Sequence, residues 1–354
     1  MSKVFYKSLG KTQTWPDLYQ INPSSLTYDD VLLLPQNSDI NSRSEIDTKV
    51  KFGPYTLTTP IIAAPMDTIV GEKMAREFAR LGAIAAMPRE NIENVAKICK
   101  RLSEEDIPCV YSVGVRNGFA EAKILKDNGA KIILVDVAHG GLFKAKELAV
   151  EIKKKLKVHI IAGNIVSYDQ ALAYKKIGID IARVGVGGGG TCITRLVAGA
   201  GFPQLASLFE TTSTGIPVIA DQAIRKPADF AKAIAAGAIV AMVGSILGGT
   251  NETPGKVING QKIVRGQASS SYMKDNGVLE NQFRAAEGVT TKVNVKGPVE
   301  DVVEQLMGGL RSAMSYSGAK NITEFQRKAI FVKISRATLN ENIPWLESTK
   351  ISHI

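Results

Sequence analysis

The stretch Ile179-Asp-Ile-Ala-Arg-Val184, followed by Gly185-Val-Gly-Gly-Gly-Gly-Thr-Cys-Ile-Thr-Arg195, decides how the chain is read. The first six residues form an apolar run that reads as a buried strand. Five of the next six are glycine, so no side chains stand between backbone and ligand. Such a segment adopts φ > 0 freely and can point successive N–H groups into one concavity, which suits an anion. A thiol, a hydroxyl and a guanidinium come directly after. A thiol held among inward-pointing amides and near Arg195 is expected to lose its proton readily, and the thiolate is the nucleophile. An isolated glycine run is more often a flexible loop with an inert cysteine. Here the run sits at a strand's C-terminal end and carries Cys-x-Thr-Arg, which favours an active loop.

Working outward, similar apolar runs occur at Ile61–Ala64, Ala83–Met87, Cys109–Val113, Lys131–Asp136, Val158–Ala162, Pro217–Ala220 and Ala238–Val243. Most starts are separated by the length of one strand, one helix and their loops. Helical apolar spacing fills the intervals at Phe119–Asn128, Leu142–Leu156, Tyr168–Ile177 and Ala228–Ala236. Gly82, Gly129, Gly178 and Gly237 stand where a helix ends in the left-handed conformation before a strand begins. Eight runs in this rhythm predict an α/β fold, a (β/α)8 TIM barrel, with an open doubly wound sheet as the alternative. The runs are apolar throughout, as when both faces of a parallel sheet are covered.

Residues 1–60 read as an N-terminal arm and lead-in segment, and the whole of 1–354 as one catalytic unit. The rhythm breaks at 248–298, where a hairpin over Lys256–Val264 turning at Asn259-Gly260 is expected. A polar stretch follows, and the eighth helix is delayed to Glu300–Ser315. A long excursion at a barrel's C-terminal face usually covers the site, so 248–298 is read as a mobile flap.

Composition excludes several classes. The 354 residues are 45% hydrophobic and 22% charged, and no apolar run approaches the length of a membrane span. The first residues lack the apolar core of a signal peptide. Three cysteines and three histidines, well separated, make neither a disulfide framework nor a zinc site. A cytoplasmic home is expected. The net charge of +10 is scattered over helix-like segments, without the aromatic-interleaved stripe of a nucleic-acid binder. A small anionic metabolite accounts for the bias at least as well.

In a barrel the strand ends converge on one mouth. That places Asp67, Asp136, Asn164, Cys192, Thr194, Arg195, Asp221, Gln222, Gly244 and Ser245 around one space, with Glu287 in the flap. A single carboxylate at a strand end can equally cap the next helix. It is the convergence with a cysteine loop that favours function for the set.

From about Leu26 to about Ile334 the chain resembles the IMP dehydrogenase/GMP reductase family. The resemblance rests on Ala64-Pro-Met-Asp-Thr68, Val135-Asp-Val-Ala-His-Gly140, Ala162-Gly-Asn164 and Gly185–Arg195. Gly199-Ala-Gly-Phe-Pro-Gln204, Arg265-Gly266, Glu287-Gly288 and Met307-Gly-Gly-Leu-Arg-Ser312 add to it. It implies a TIM barrel, a homotetramer, and purine nucleotide chemistry in which Cys192 attacks C2 while a nicotinamide cofactor exchanges hydride there. By the same resemblance Thr194 and Glu287 handle the proton of ammonia or water. Asp67, Asn164, Gly190, Asp221, Gln222, Ala223, Gly244, Ser245, Arg265, Gly266 and Gln267 line the substrate, and Asp136, Val137, Ala138, Gly185 and Gly187 the cofactor. The carbonyls of Gly187, Gly189 and Cys192 match those that hold a monovalent cation such as K+.

Between the two branches, the short interval from Met87 to Cys109 leaves no room for the regulatory CBS modules common in the dehydrogenases. Tyr272 and Arg284 are not the adjacent Arg-Tyr pair of their flap. GMP reductase, using NADPH to turn GMP into IMP and ammonia, is therefore favoured. The alternatives are NAD as cofactor, an IMP dehydrogenase without CBS modules, or a barrel that binds nucleotides without catalysis. The sequence departs from the family in one region, the one that grips the substrate phosphate. Gln222-Ala223 stands for Gly-Gly, Gly190 for serine and Val264 for tyrosine. Two lost hydroxyl donors would forfeit about 1–3 kcal/mol each. Gly244 and Ser245 still match, so either the substrate is altered, being a different nucleotide or one held differently at its 5′ end, or this is drift within a working GMP reductase with Gln222 as a substitute donor.

Overall fold

The computed structural model describes residues 4–7, 11–14, 26–277, 283 and 285–341. Its centre is a closed barrel of parallel strands: β1 (Ile61–Ala63), β2 (Ile84–Met87), β3 (Cys109–Val113), β4 (Ile132–Asp136), β5 (His159–Ile165), β6 (Ile181–Val184), β7 (Val218–Asp221) and β8 (Val240–Val243). Each strand pairs with its sequence neighbours. The circle closes where Ala241, Met242 and Val243 of β8 lie opposite Ile61, Ile62 and Ala63 of β1. That closure decides for the barrel over the open sheet.

Successive side chains of a strand point to opposite faces, and both faces here are apolar. Ile62, Ile84, Val110, Leu134, Ile219 and Met242 fill the interior. Ile61, Ala85, Ile133, Ala182 and Val218 face outward into the shell of helices. A hairpin, Val50–Phe52 with Tyr55–Leu57, adds Phe52 and Leu57 to the interior core, and Phe52 is fully buried there.

The helices that follow the strands in turn are α1 (Glu72–Arg80), α2 (Ile92–Glu104), α3 (Gly118–Asp127), α4 (Phe143–Leu156), α5 (Tyr168–Lys176), α6 (Gln204–Thr212), α7 (Pro227–Ala235) and α8 (Val299–Tyr316), with shorter helices elsewhere. Gly82, Gly129, Gly178 and Gly237 end α1, α3, α5 and α7 at φ of +72°, +99°, +79° and +108°. These are the left-handed stops the sequence predicts. At Gly82 space matters as well, because a Cβ would stand 1.8 Å from Thr58 Oγ1. Among the described residues no helix is long and apolar enough to cross a membrane.

Two expectations are corrected outside the barrel. Residues 256–264 do not form a hairpin. Asn259 and Gly260 do make a left-handed turn, at φ +50° and +73°, but it carries only an isolated Ile258–Gln261 bridge. Its outgoing strand, β9 (Gln261–Arg265), pairs instead with β10 (Thr290–Asn294). The reason is burial. In that ribbon Val264 faces inward, and the Lys262 ammonium donates to the carbonyls of Thr250 and Thr253 at 2.8 Å each. Val257 and Ile258 stay exposed. The polar stretch that follows also holds a short helix, Ser270–Asp275, capped by Ser269.

The lead-in segment is likewise more ordered than an arm. Val4–Lys7, Lys11–Thr14 and Val31–Leu33 join Ile330–Lys333 in a four-stranded sheet. Phe331 packs edge-on against Phe209 of α6, with ring centroids 5.2 Å apart.

Candidate active site

The mouth of the barrel is tied together by buried charge. Arg183, in the middle of β6, donates from Nη1 to Asp136 Oδ1 at 2.6 Å and from Nε to Asp221 Oδ2 at 2.8 Å. Arg89, beyond β2, reaches Asp136 Oδ2 at 3.1 Å. Asn164 Nδ2 donates to Asp221 Oδ2 at 2.7 Å and to Gly185 O at 2.6 Å. Charges leave water at high cost unless each meets a partner, and here five strand ends supply one another's partners. Burial alone would raise the Asp136 carboxyl, but the charges of Arg183 and Arg89 overcome it and hold it below the ordinary carboxylate range.

Beside this network runs the glycine loop. Gly185 is enclosed, since a Cβ there would meet Asp221 O at 2.0 Å. Cys192 N–H donates to Gly189 O at 3.0 Å, and Cys192 Sγ lies 3.2 Å from Thr194 Oγ1. Arg195 directs Nη2 to Phe202 O at 2.8 Å. The other two cysteines are different. Burial pushes the Cys99 thiol up to about 11 and the Cys109 thiol up to about 12, whereas Cys192 is half-buried.

The flap closes onto this loop by backbone pairing. Ile193 N–H donates to Glu287 O at 2.8 Å, Val289 N–H to Thr191 O at 2.9 Å, and Cys192 bridges Gly288. The Glu287 backbone is thereby held against the cysteine loop, and no side-chain bond joins Glu287 to Thr194 among the described residues. The flap is also clamped to the loop after β1. Arg265 Nε donates to Asp67 Oδ2 at 2.8 Å, Arg265 N–H to Thr68 Oγ1 at 3.1 Å, and Gln267 Nε2 to Pro65 O. Asp67 Oδ1 is buried without a partner, an acceptor left at the mouth. Gly266 packs on Thr191, Gly244 on Met66, and Ser245 beside Gly190.

A family model for the IMP dehydrogenase / GMP reductase domain matches residues 25–345. The chain belongs to that family. It is 33% identical to inosine-5′-monophosphate dehydrogenase of Cryptosporidium parvum, over 90% of this chain and 94% of that one. To GMP reductase of Streptococcus agalactiae (strain 2603 V/R) it is 34% identical, over 83% and 91%. Among solved structures, a cysteine-to-alanine variant of Trypanosoma brucei GMP reductase in complex with guanosine 5′-monophosphate superposes with a TM-score of 0.83. The identity there is 28%, and the match covers 92% of this chain and 98% of that one. Both activities thus occur among relatives of family-wide similarity.

Within this family member, the structure brings together the residues the sequence nominates. Asp136, Asn164 and Asp221 share the charge network, and Cys192 and Thr194 touch. Gln222 and Ala223 bond the glycine loop, and Arg265 holds Asp67. Val137 exchanges backbone bonds with Gly163 and Asn164 at 3.1 and 2.9 Å, so Ala138 and His139 form an exposed shelf after β4. Arg284 lies outside the described residues. Sequence reasoning missed Arg183 and Arg89. The signal for Arg183 was present: one guanidinium inside an otherwise apolar run must find buried carboxylates.

Proposed function

We propose that the protein catalyses the NADPH-dependent reductive deamination of GMP to IMP and ammonia, with Cys192 as nucleophile. The observation that carries this is the ladder between Thr191–Ile193 and Glu287–Val289, which brings the backbone of Glu287 against the loop whose half-buried Cys192 thiol lies 3.2 Å from the Thr194 hydroxyl. The Cys192 thiolate adds to C2 of the purine, and the exocyclic amine leaves as ammonia, protonated through Thr194 and Glu287. This gives a thioimidate and divides one difficult substitution into two manageable steps. A bound reduced nicotinamide would supply the hydride for C2, and Cys192 would then leave as its thiolate as the C–S bond breaks. GMP, NADPH and two protons become IMP, NADP+ and ammonium.

The residues present fit that cofactor. Arg89 and Arg183 pair both oxygens of Asp136, and Ala138 and His139 lie exposed at the end of β4, where a cofactor would rest. Gly187, Gly189 and Cys192 would present carbonyls to a monovalent cation, with Gly189 O shared with the Cys192 amide. A homotetramer belongs to the same reading, supported by the exposure of Leu196 at 85% and Phe143 at 79% beside the mouth.

IMP dehydrogenase activity is the second reading, favoured by the dehydrogenase among the relatives. Two features weigh against it. The interval from Met87 to Cys109 is filled by α2 alone, and Tyr272 is engaged, its hydroxyl donating to Arg89 O at 2.7 Å. The test mixes the protein with NADPH and GMP, and separately with NAD and IMP, and follows absorbance of the reduced cofactor. Consumption in the first mixture alone is expected; production in the second alone would replace the proposal by its rival.

A further inference from the structure

The glycine loop that the sequence offers as an anion cradle is filled by the protein's own amide. Gln222 sits at φ +102° and Ala223 at φ +58°, conformations that side-chain-bearing residues rarely adopt. From there the Gln222 carboxamide lies across the loop. Its Oε1 accepts the Gly188 N–H, and its Nε2 donates to Gly185 O at 2.8 Å. The Ala223 N–H is engaged by Gly188 O at 3.2 Å. Further along the same rim, Ser245 Oγ lies 2.5 Å from where a Cβ on Gly190 would stand. The atoms closest to the Cβ positions of Gly187 to Gly190 belong to Arg195, Gln222, Ala223, Cys192 and Ser245. The one cation in that group, Arg195, is turned to Phe202 O.

A phosphate dianion offsets its desolvation only by gathering several strong donors. Here two backbone donors are already bonded within the protein, and a neutral carboxamide holds the place that charge would need. An incoming phosphate would have to displace both bonds of that carboxamide at once. We infer that Gln222 is a specificity-determining residue. By occupying the cradle it removes the contribution of a 5′-phosphate, so the site recognises a purine through its base and sugar and takes nucleoside and nucleotide alike. This inference rests on the purine reading above and adds the ligand class to it.

The test measures binding of guanosine and GMP, and of inosine and IMP, to the purified full chain by titration calorimetry at fixed ionic strength. Within each pair the dissociation constants are expected to agree within about threefold; a nucleotide tighter by about tenfold or more overturns the inference. In the double variant Gln222→Gly with Ala223→Gly the cradle opens, and the preference for GMP over guanosine is expected to rise by about tenfold or more. A preference that stays where it was overturns the role of Gln222. Silence of all four ligands towards a chain whose circular dichroism is that of the folded protein overturns the purine reading itself. That outcome is distinct from the specific failure, in which GMP binds and guanosine does not.

Discussion

The carbonyl oxygen of Glu287 accepts the amide of Ile193 at 2.8 Å, so the flap and the cysteine loop share one antiparallel ladder. The flap does not merely overhang the mouth; its register sets which of its residues lies opposite Cys192. That residue is Gly288. A Cβ on Gly288 would come within 3.0 Å of Ser269 N and 3.3 Å of Thr191 O. Gly288→Ala should therefore push the ladder apart and misplace Glu287. A misplacement near 1 Å costs about a hundredfold. Steady-state kcat/KM should fall on that scale while the far-ultraviolet circular dichroism keeps its native form.

Replacing the sulfur tests the covalent step. Cys192→Ala should abolish turnover while leaving GMP affinity within about tenfold of the original, because it removes an interaction made only along the reaction. Turnover that survives this change would remove the thioimidate.

Differential alkylation separates the three cysteines. Cys99 and Cys109 are buried, with thiols pushed up to about 11 and about 12. They should stay unlabelled by iodoacetamide near pH 8 until urea unfolds the chain, whereas Cys192, being half-buried, should label in the native state. Peptide mass spectrometry reads the sites directly.

The charge network predicts acid sensitivity. Asp136 is held below its ordinary range despite burial, by Arg183 and Arg89. A carboxyl lowered in the folded state adds stability that is present above its unfolded pKa of about 3.9 and is lost as pH falls through the folded value. Urea midpoints should therefore decline below about pH 4.5. Arg183→Met, which strips the shared cation from two buried carboxylates, should cost about 3–5 kcal/mol at pH 7. It should also flatten the acid limb, since less of the shift remains to be lost.

The barrel was legible because its signal is local and repeated. Ile84–Met87 is an unbroken apolar run just after a glycine-stopped helix, and burial on both faces leaves such a run little choice of fold. The glycine–cysteine loop stood out for a different reason: five glycines ahead of Cys192 mark a close backbone approach, and the loop does lie against Asp221 at the end of β7. Pairings across long separations were not legible. Asn259-Gly260 is a strong turn signal, yet the partner of Gln261–Arg265 lies at Thr290–Asn294, chosen by where Val264 and Lys262 can be buried. Ile330–Lys333 meets Val4–Lys7 only once the barrel has brought both ends to one side. Arg183 was hidden between Ala182 and Val184. Its partners, Asp136 and Asp221, stand out in sequence, but only the barrel's curvature shows that one guanidinium spans both.

Closure of β8 onto β1 also orders events during synthesis. Ile61 emerges from the ribosome early, and its second neighbour, Ala241, is made 180 residues later. Until then a nascent chain carries two open sheet edges, the kind of surface on which chains associate wrongly. The glycine loop and its cysteine are translated well before that point, so the loop exists for a time without the Glu287–Val289 segment that pairs with it.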